Sequence, residues 1–101
     1  MIIVIFRSRL REGVDREYPQ MAAHMLELVA QQPGFISFKS FSAPDGERVS
    51  ISEFQSEEAV AAWRSNMEHS LARAKGRDSF YQQFKVQVCT PVRAYEFEFK
   101  E

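Results

Sequence analysis

Met1-Ile2-Ile3-Val4-Ile5-Phe6 is apolar at six consecutive positions. Successive side chains of a strand point to opposite faces, so a strand of this composition carries hydrocarbon on both. Further on there are two helical stretches, and a β-α-β-β-α-β order packs both on one side of a sheet. The other side needs a cover, and the simplest is a second copy of the chain. The opening stretch therefore predicts a homodimer. It also makes the space between sheet and helices the first place to look for a ligand.

The 101 residues read as a single domain over 1–101. A chain of this size buries roughly 60–65% of its unfolded surface, so dimerisation would help it considerably. Thirteen Lys and Arg stand against 14 Asp and Glu with both signs spread throughout, and no basic block points to nucleic acid. The single cysteine, Cys89, rules out an internal disulfide framework and fits a reducing compartment. The apolar N-terminal run is too short for a membrane span or a signal segment, and nothing basic precedes it. Together these features predict a soluble, cytoplasmic protein with neither a nucleic acid nor a membrane as partner.

The first strand spans about Ile2 to Leu10 and Glu12-Gly13 turns it. Asp15 is the expected N-cap of the first helix, with Pro19 tolerated in its first turn. Tyr18, Met21, Met25, Leu28, Val29 and Gln32 share a face of that helix, which Pro33-Gly34 ends. Phe35 to Ser42 reads as a second strand and Ala43-Pro44-Asp45-Gly46 as a turn. The third strand, Arg48 to Phe54, sets Val49, Ile51 and Glu53 on one face and Ser50, Ser52 and Phe54 on the other. Ser56 caps the second helix, whose core stripe is Val60, Trp63 and Met67. Ser65-Asn66-Met67-Glu68 is a capping-box pattern and predicts a kink or a new helix there, ending near Gly76.

The last extended stretch, Phe84 to Phe99, changes phase. Phe84, Val86 and Val88 are apolar at even positions; Tyr95, Phe97 and Phe99 are apolar at odd ones. A slip of one residue inverts every side chain, so a bulge or break falls at Thr90-Pro91. A terminal strand that turns there can leave its own sheet and pair with a partner's.

Strong catalytic motifs are missing: no Gly-rich phosphate loop, C-x-x-C, H-E-x-x-H or G-x-S-x-G. Two histidines on different helices and one cysteine argue against metal catalysis. His24 borders the first helix's apolar stripe, either as a boundary residue facing solvent or as a neutral proton acceptor in the cavity. His69 is a surface residue if the second helix is continuous and turns toward the sheet if the helix breaks at Ser65. Trp63 is a core anchor or a flat cavity wall. Glu53 shares a face with Val49 and Ile51, which is awkward for a carboxylate. It either sits near water at the sheet edge or is partly buried against Arg7 or Arg93. Asn66 reads as a helix-start residue and Cys89 as a small hydrophobe. A cavity lined by Phe, Tyr, Trp and Met would suit a flat, apolar ligand.

The stretch from Phe54 through Gln55-Ser56-Glu57-Glu58-Ala59-Val60-Ala61-Ala62 to Trp63 resembles the antibiotic biosynthesis monooxygenase family. So do Glu68-His69-Ser70-Leu71-Ala72, Gly76-Arg77, Phe80-Tyr81, Pro33-Gly34-Phe35 and Val92-Arg93-Ala94-Tyr95. The likeness spans nearly the whole chain, through elements that are mostly structural. It implies an α+β, ferredoxin-like fold with an antiparallel sheet, forming a dimeric α/β barrel by exchange of the C-terminal strand.

The family includes small oxygenases that oxidise anthrones, quinols and related aromatics with neither metal nor flavin. There the protein deprotonates the substrate, which then reduces molecular oxygen itself, so the site must orient the substrate, exclude water and supply a base. On this resemblance Trp63 matches a recurrent cavity-lining position, and Asn66, Met67, Phe80, Tyr81 and Glu53 join it as candidate substrate contacts. His69 or His24 is the candidate base, and Arg93 or Arg7 would steady an oxyanion. A haem-degrading branch uses an Asn on the first strand, where this chain has Arg7 and Ser8. The expected activity is cofactor-independent monooxygenation of a small aromatic. The rival readings are a non-catalytic dimeric binding protein, a haem oxygenase or an isomerase on the same scaffold.

Overall fold

The computed structural model describes residues 1–14, 17–74 and 80–100, the side chains at 68–74 excepted. The order is β1 (Ile2–Leu10), α1 (Tyr18–Ala30), β2 (Phe35–Ser42), β3 (Arg48–Phe54), α2 (Glu57–Ala74) and β4 (Tyr81–Cys89). The strands form one antiparallel sheet in the order β2-β3-β1-β4. This is the α+β, ferredoxin-like arrangement, with the first three strands at their expected boundaries.

β1 occupies an inner position, as its two-faced hydrocarbon demands. Ile2 opposes Phe54, and both join a core with Val29 of α1 and Ala59 and Val60 of α2. Both helices therefore cover the even-numbered side of β1, with Val4, Phe35 and Trp63 packed around that core. Among the described residues, neither helix covers the odd-numbered side. Ile5 opposes Ile51 there and Arg7 opposes Val49, while Ile51 is 38% and Phe41 48% exposed.

α1 turns the expected face inward: Val29 is buried, and Tyr18, Met21, Met25, Leu28 and Gln32 are half-buried. Its N-cap position is Glu17, whose side chain makes no capping bond, and Pro19 sits in the first turn. The expected cap, Asp15, lies outside the described residues. In the hairpin between β2 and β3, the Glu47 amide donates to the Asp45 carboxylate at 3.0 Å and Gly46 takes φ +94°.

The expected break at Ser65 does not occur, and α2 runs unbroken from Glu57 to Ala74. Its start is already capped, because the Ser56 hydroxyl accepts the Ala59 amide at 3.2 Å. A capping box acts only where amides lack partners, and Ala61, Ala62, Arg64 and Met67 favour continuing the helix. Ser65 and Asn66 are simply exposed within it. The expected end near Gly76 lies outside the described residues.

The last strand also differs from its expected span, beginning at Tyr81 and ending at Cys89. Residues 90–100 form no strand, and Val92, Tyr95, Phe97 and Phe99 are 97%, 86%, 85% and 75% exposed. Pro91 has no N–H to donate to a ladder, so the phase change coincides with the point where the chain leaves its own sheet.

Candidate functional site

The helices do not spread evenly over their side of the sheet. Among the described residues α1 packs chiefly on β2, and α2 on β1 and β3. On the same side, Val4 pairs with Val88, Phe6 with Val86 and Ser8 with Phe84. The β4 members of these pairs stay open, with Phe84 45%, Val86 44% and Val88 50% exposed. The result is a half-open apolar trough along β1 and β4.

Trp63 stands at one end of this trough. It is half-buried on α2 and packs on the same core as Val4, while Met67 is half-buried one turn later and Asn66 is exposed. An aromatic cluster occupies the other end. Phe6 and Phe84 stack at 5.6 Å between centroids, and Tyr81 meets them edge-on at 5.5 and 5.7 Å. Phe80, 2% exposed, backs Tyr18 at 6.1 Å. The Tyr18 and Tyr81 hydroxyl oxygens lie 3.4 Å apart, and the Arg48 guanidinium sits 5.2 Å from the Tyr18 ring centroid. Burial, followed by the neighbouring Tyr18, pushes the Tyr81 phenol far above its ordinary pKa, so this hydroxyl keeps its proton.

The remaining candidates are dispersed. Glu53 is half-buried on the face away from the helices, where the Ser37 hydroxyl donates to its carboxylate. Neither Arg7 nor Arg93 is its partner there. Arg7 instead forms a two-pronged pair with Glu47, at 2.9 and 3.1 Å, on that same outer face. This pairing holds the Glu47 carboxyl below the usual range. The placement of Glu53 follows from strand alternation: Phe54 must face the core, so its neighbour cannot. His24 is exposed on α1 and Arg93 is exposed on the terminal arm. The backbone of His69 belongs to α2, while its side chain lies outside the described residues.

Two shallow hollows of ≈ 390 and ≈ 360 Å³ flank the hairpin end of the sheet, lined in part by Arg9, Asp45 and Gln82 and by Arg7, Glu47 and Lys85. Arg9 pairs with Asp45 at 3.0 Å and Arg7 with Glu47 at 2.9 Å, while Arg48 also lines the first hollow and Lys85 the second. Among the described residues no group of three or more His, Cys, Asp or Glu could hold a metal ion.

The structure thus brings together Trp63, Met67, Phe80 and Tyr81 on the helix-covered side and sets Glu53 apart. Phe6, Tyr18, Arg48 and Phe84 join the first group without having been singled out from the sequence. The even-numbered alternation of Phe6 and Phe84 was a usable signal. Nothing local announces the meeting of Tyr18 with Tyr81.

Residues 1–75 match the family model for antibiotic biosynthesis monooxygenases. The chain belongs to the antibiotic biosynthesis monooxygenase family. It is 36% identical to the uncharacterized protein YqjZ of Bacillus subtilis, over 94% of this chain and 82% of that protein. A jasmonate monooxygenase of Pyricularia oryzae is 31% identical over 95% of this chain, which spans about half (47%) of that protein. The structure also superposes on SnoaB, a cofactor-independent oxygenase from Streptomyces nogalater. The TM-score is 0.75, with 17% identity, over 92% of this chain and 94% of SnoaB, a likeness of fold. The match to the monooxygenase family model stops before β4, whereas the structural likeness to SnoaB covers most of the chain.

Proposed function

We propose that the chain is a cofactor-independent monooxygenase of small, electron-rich aromatic substrates and that it works as a homodimer. The half-open trough of Phe6, Phe84, Val86 and Val88 carries this reading, because it offers a flat apolar substrate a wall beside Trp63. Relatives that are a monooxygenase and a cofactor-independent oxygenase support the reaction class.

The trough binds the substrate flat and removes it from water, while Trp63 limits its orientation. A base takes a proton from the phenolic or benzylic position, and the resulting carbanion-like substrate reduces molecular oxygen. One oxygen atom enters the product and the other leaves as water. His69 and His24 are the proposed bases. His24 is exposed in the single chain and α2 continues unbroken past Ser65, so neither histidine is favoured over the other and both are to be replaced in turn. Arg93 reaches a trough only if its arm packs on a second copy, and Arg7 is held on the outer face by Glu47.

The dimer reading rests on two unsatisfied surfaces: the apolar outer face of the sheet and the arm bearing Tyr95, Phe97 and Phe99. Covering one with the other in a second copy removes both from water.

Oxygen uptake by purified, metal-free protein tests the activity against a panel of anthrones, hydroquinones and catechols. Uptake that scales with protein and falls in a folded Trp63→Ala variant is the expected result. A folded dimer with no uptake across the panel would leave a binding protein as the better reading.

A further inference from the structure

The aromatic cluster contains a polar group that the trough does not otherwise need. Tyr18 opens α1 and Tyr81 opens β4, and they are 63 positions apart in sequence, yet their hydroxyl oxygens lie 3.4 Å apart. That separation exceeds the usual 2.5–3.0 Å of an O–H···O hydrogen bond, so the two groups are only loosely committed to each other. Two phenols also hold two protons and can place only one between them. One O–H donor is therefore left over, in a wall otherwise built from Phe6, Phe80 and Phe84.

The Arg48 guanidinium lies over the Tyr18 ring, and none of the described carboxylates forms a salt bridge with Arg48. The Tyr81 hydroxyl stays protonated and is thus a donor, never a base, at working pH. A spare O–H donor beside a cation that no described carboxylate pairs with favours an oxygen that carries negative charge, held at the edge of a flat ring.

We infer that Tyr18 and Tyr81, backed by Arg48, are the specificity-determining end of the trough. They select aromatic ligands bearing a hydroxyl or phenolate oxygen at one edge, which accepts the O–H that the tyrosine pair leaves over. The inference rests on the reading of the trough as an aromatic-substrate site. It adds which way round the ring enters: oxygen toward Tyr18 and Tyr81, the remaining ring toward Trp63. Because the pair touches the substrate oxygen rather than the base, it governs which ring binds and how it lies.

Calorimetric titration of the full-length protein with 2-naphthol and with naphthalene tests this. The unmodified protein should bind 2-naphthol about tenfold more tightly than naphthalene, the scale of one or two net hydrogen bonds. Tyr18→Phe and Tyr81→Phe keep the rings, and each should remove most of that preference while leaving naphthalene affinity unchanged. Arg48→Gln should weaken 2-naphthol alone. Equal affinity of the unmodified protein for the two ligands would overturn the inference while sparing the aromatic site. Parallel loss of both ligands in folded Phe variants would also overturn it, reducing the tyrosines to plain wall. Binding of neither ligand by the unmodified protein would remove the trough reading and the inference together. The first comparison needs no variant and so does not depend on how a substitution folds.

Discussion

Gly34 and Ala59 hold the loop after α1 against the start of α2: a Cβ built on Gly34 would stand 2.7 Å from the Ala59 Cβ. No flexible side chain can yield there, since Ala59 is itself 9% exposed in the core. The Gly34 carbonyl also accepts the Gln55 amide at 2.8 Å, so the loop cannot swing away without losing that bond. The same residue takes φ +86°, a conformation that side chains other than glycine's resist.

Gly13 makes a natural control for this contact. It has the same φ of +86° but nothing within 4 Å of its added Cβ. Gly13→Ala therefore costs backbone strain alone, about 1 kcal/mol. Gly34→Ala adds the steric clash, for a total of about 3 kcal/mol. Urea denaturation of the two variants checks the difference, and equal losses would show that the contact with Ala59 relaxes.

The arm gives a prediction about assembly. Tyr95, Phe97 and Phe99 are at least 75% exposed, so within one chain they contribute little burial. Replacing all three with Ser should leave the secondary structure intact and convert a dimer into a monomer by light scattering at micromolar concentration. An unmodified protein that is already monomeric there would remove the dimer proposal.

Acid should weaken the hairpin end of the sheet. The Glu47 amide and then Arg9 hold the Asp45 carboxyl below its ordinary pKa, and Arg7 does the same for Glu47. Unfolded carboxyls of these types titrate near about 3.9 and 4.3. As pH falls through that range the unfolded chain takes up protons that the folded chain still refuses, so stability declines with pH. The contribution is fully present above the unfolded values and lost below the folded ones. Glu47→Gln should therefore show a shallower fall in Tm between pH 5 and pH 3 than the unmodified chain. Asp45 is exposed and Glu47 only half-buried, so the difference will be small and will shrink in high salt.

Part of the candidate site is legible in the sequence. Of the substrate contacts that the family resemblance implies, Trp63, Met67, Phe80 and Tyr81 lie on the helix-covered side, while Asn66 is exposed on α2. Glu53 was legible as an anomaly, a carboxylate on an apolar face, but the face it occupies is the one the helices leave open. The condition for His69 to turn toward the sheet was a break at Ser65, and α2 has none.

By itself the sequence determined the local periods: three strand boundaries, the hairpin turn, the inward stripe of α1 and the end of regular pairing before Pro91. Period-two and 3.6-residue patterns, glycine turns and proline are short-range effects, legible within a few residues. Only the tertiary structure decided which face of β3 met the helices, whether Ser65 capped anything, and that Tyr18 lies against Tyr81. Each of these depends on partners distant in sequence. An S-x-x-E box reads the same whether or not its amides are already bonded, and a phenol gives no local sign of the phenol it will meet.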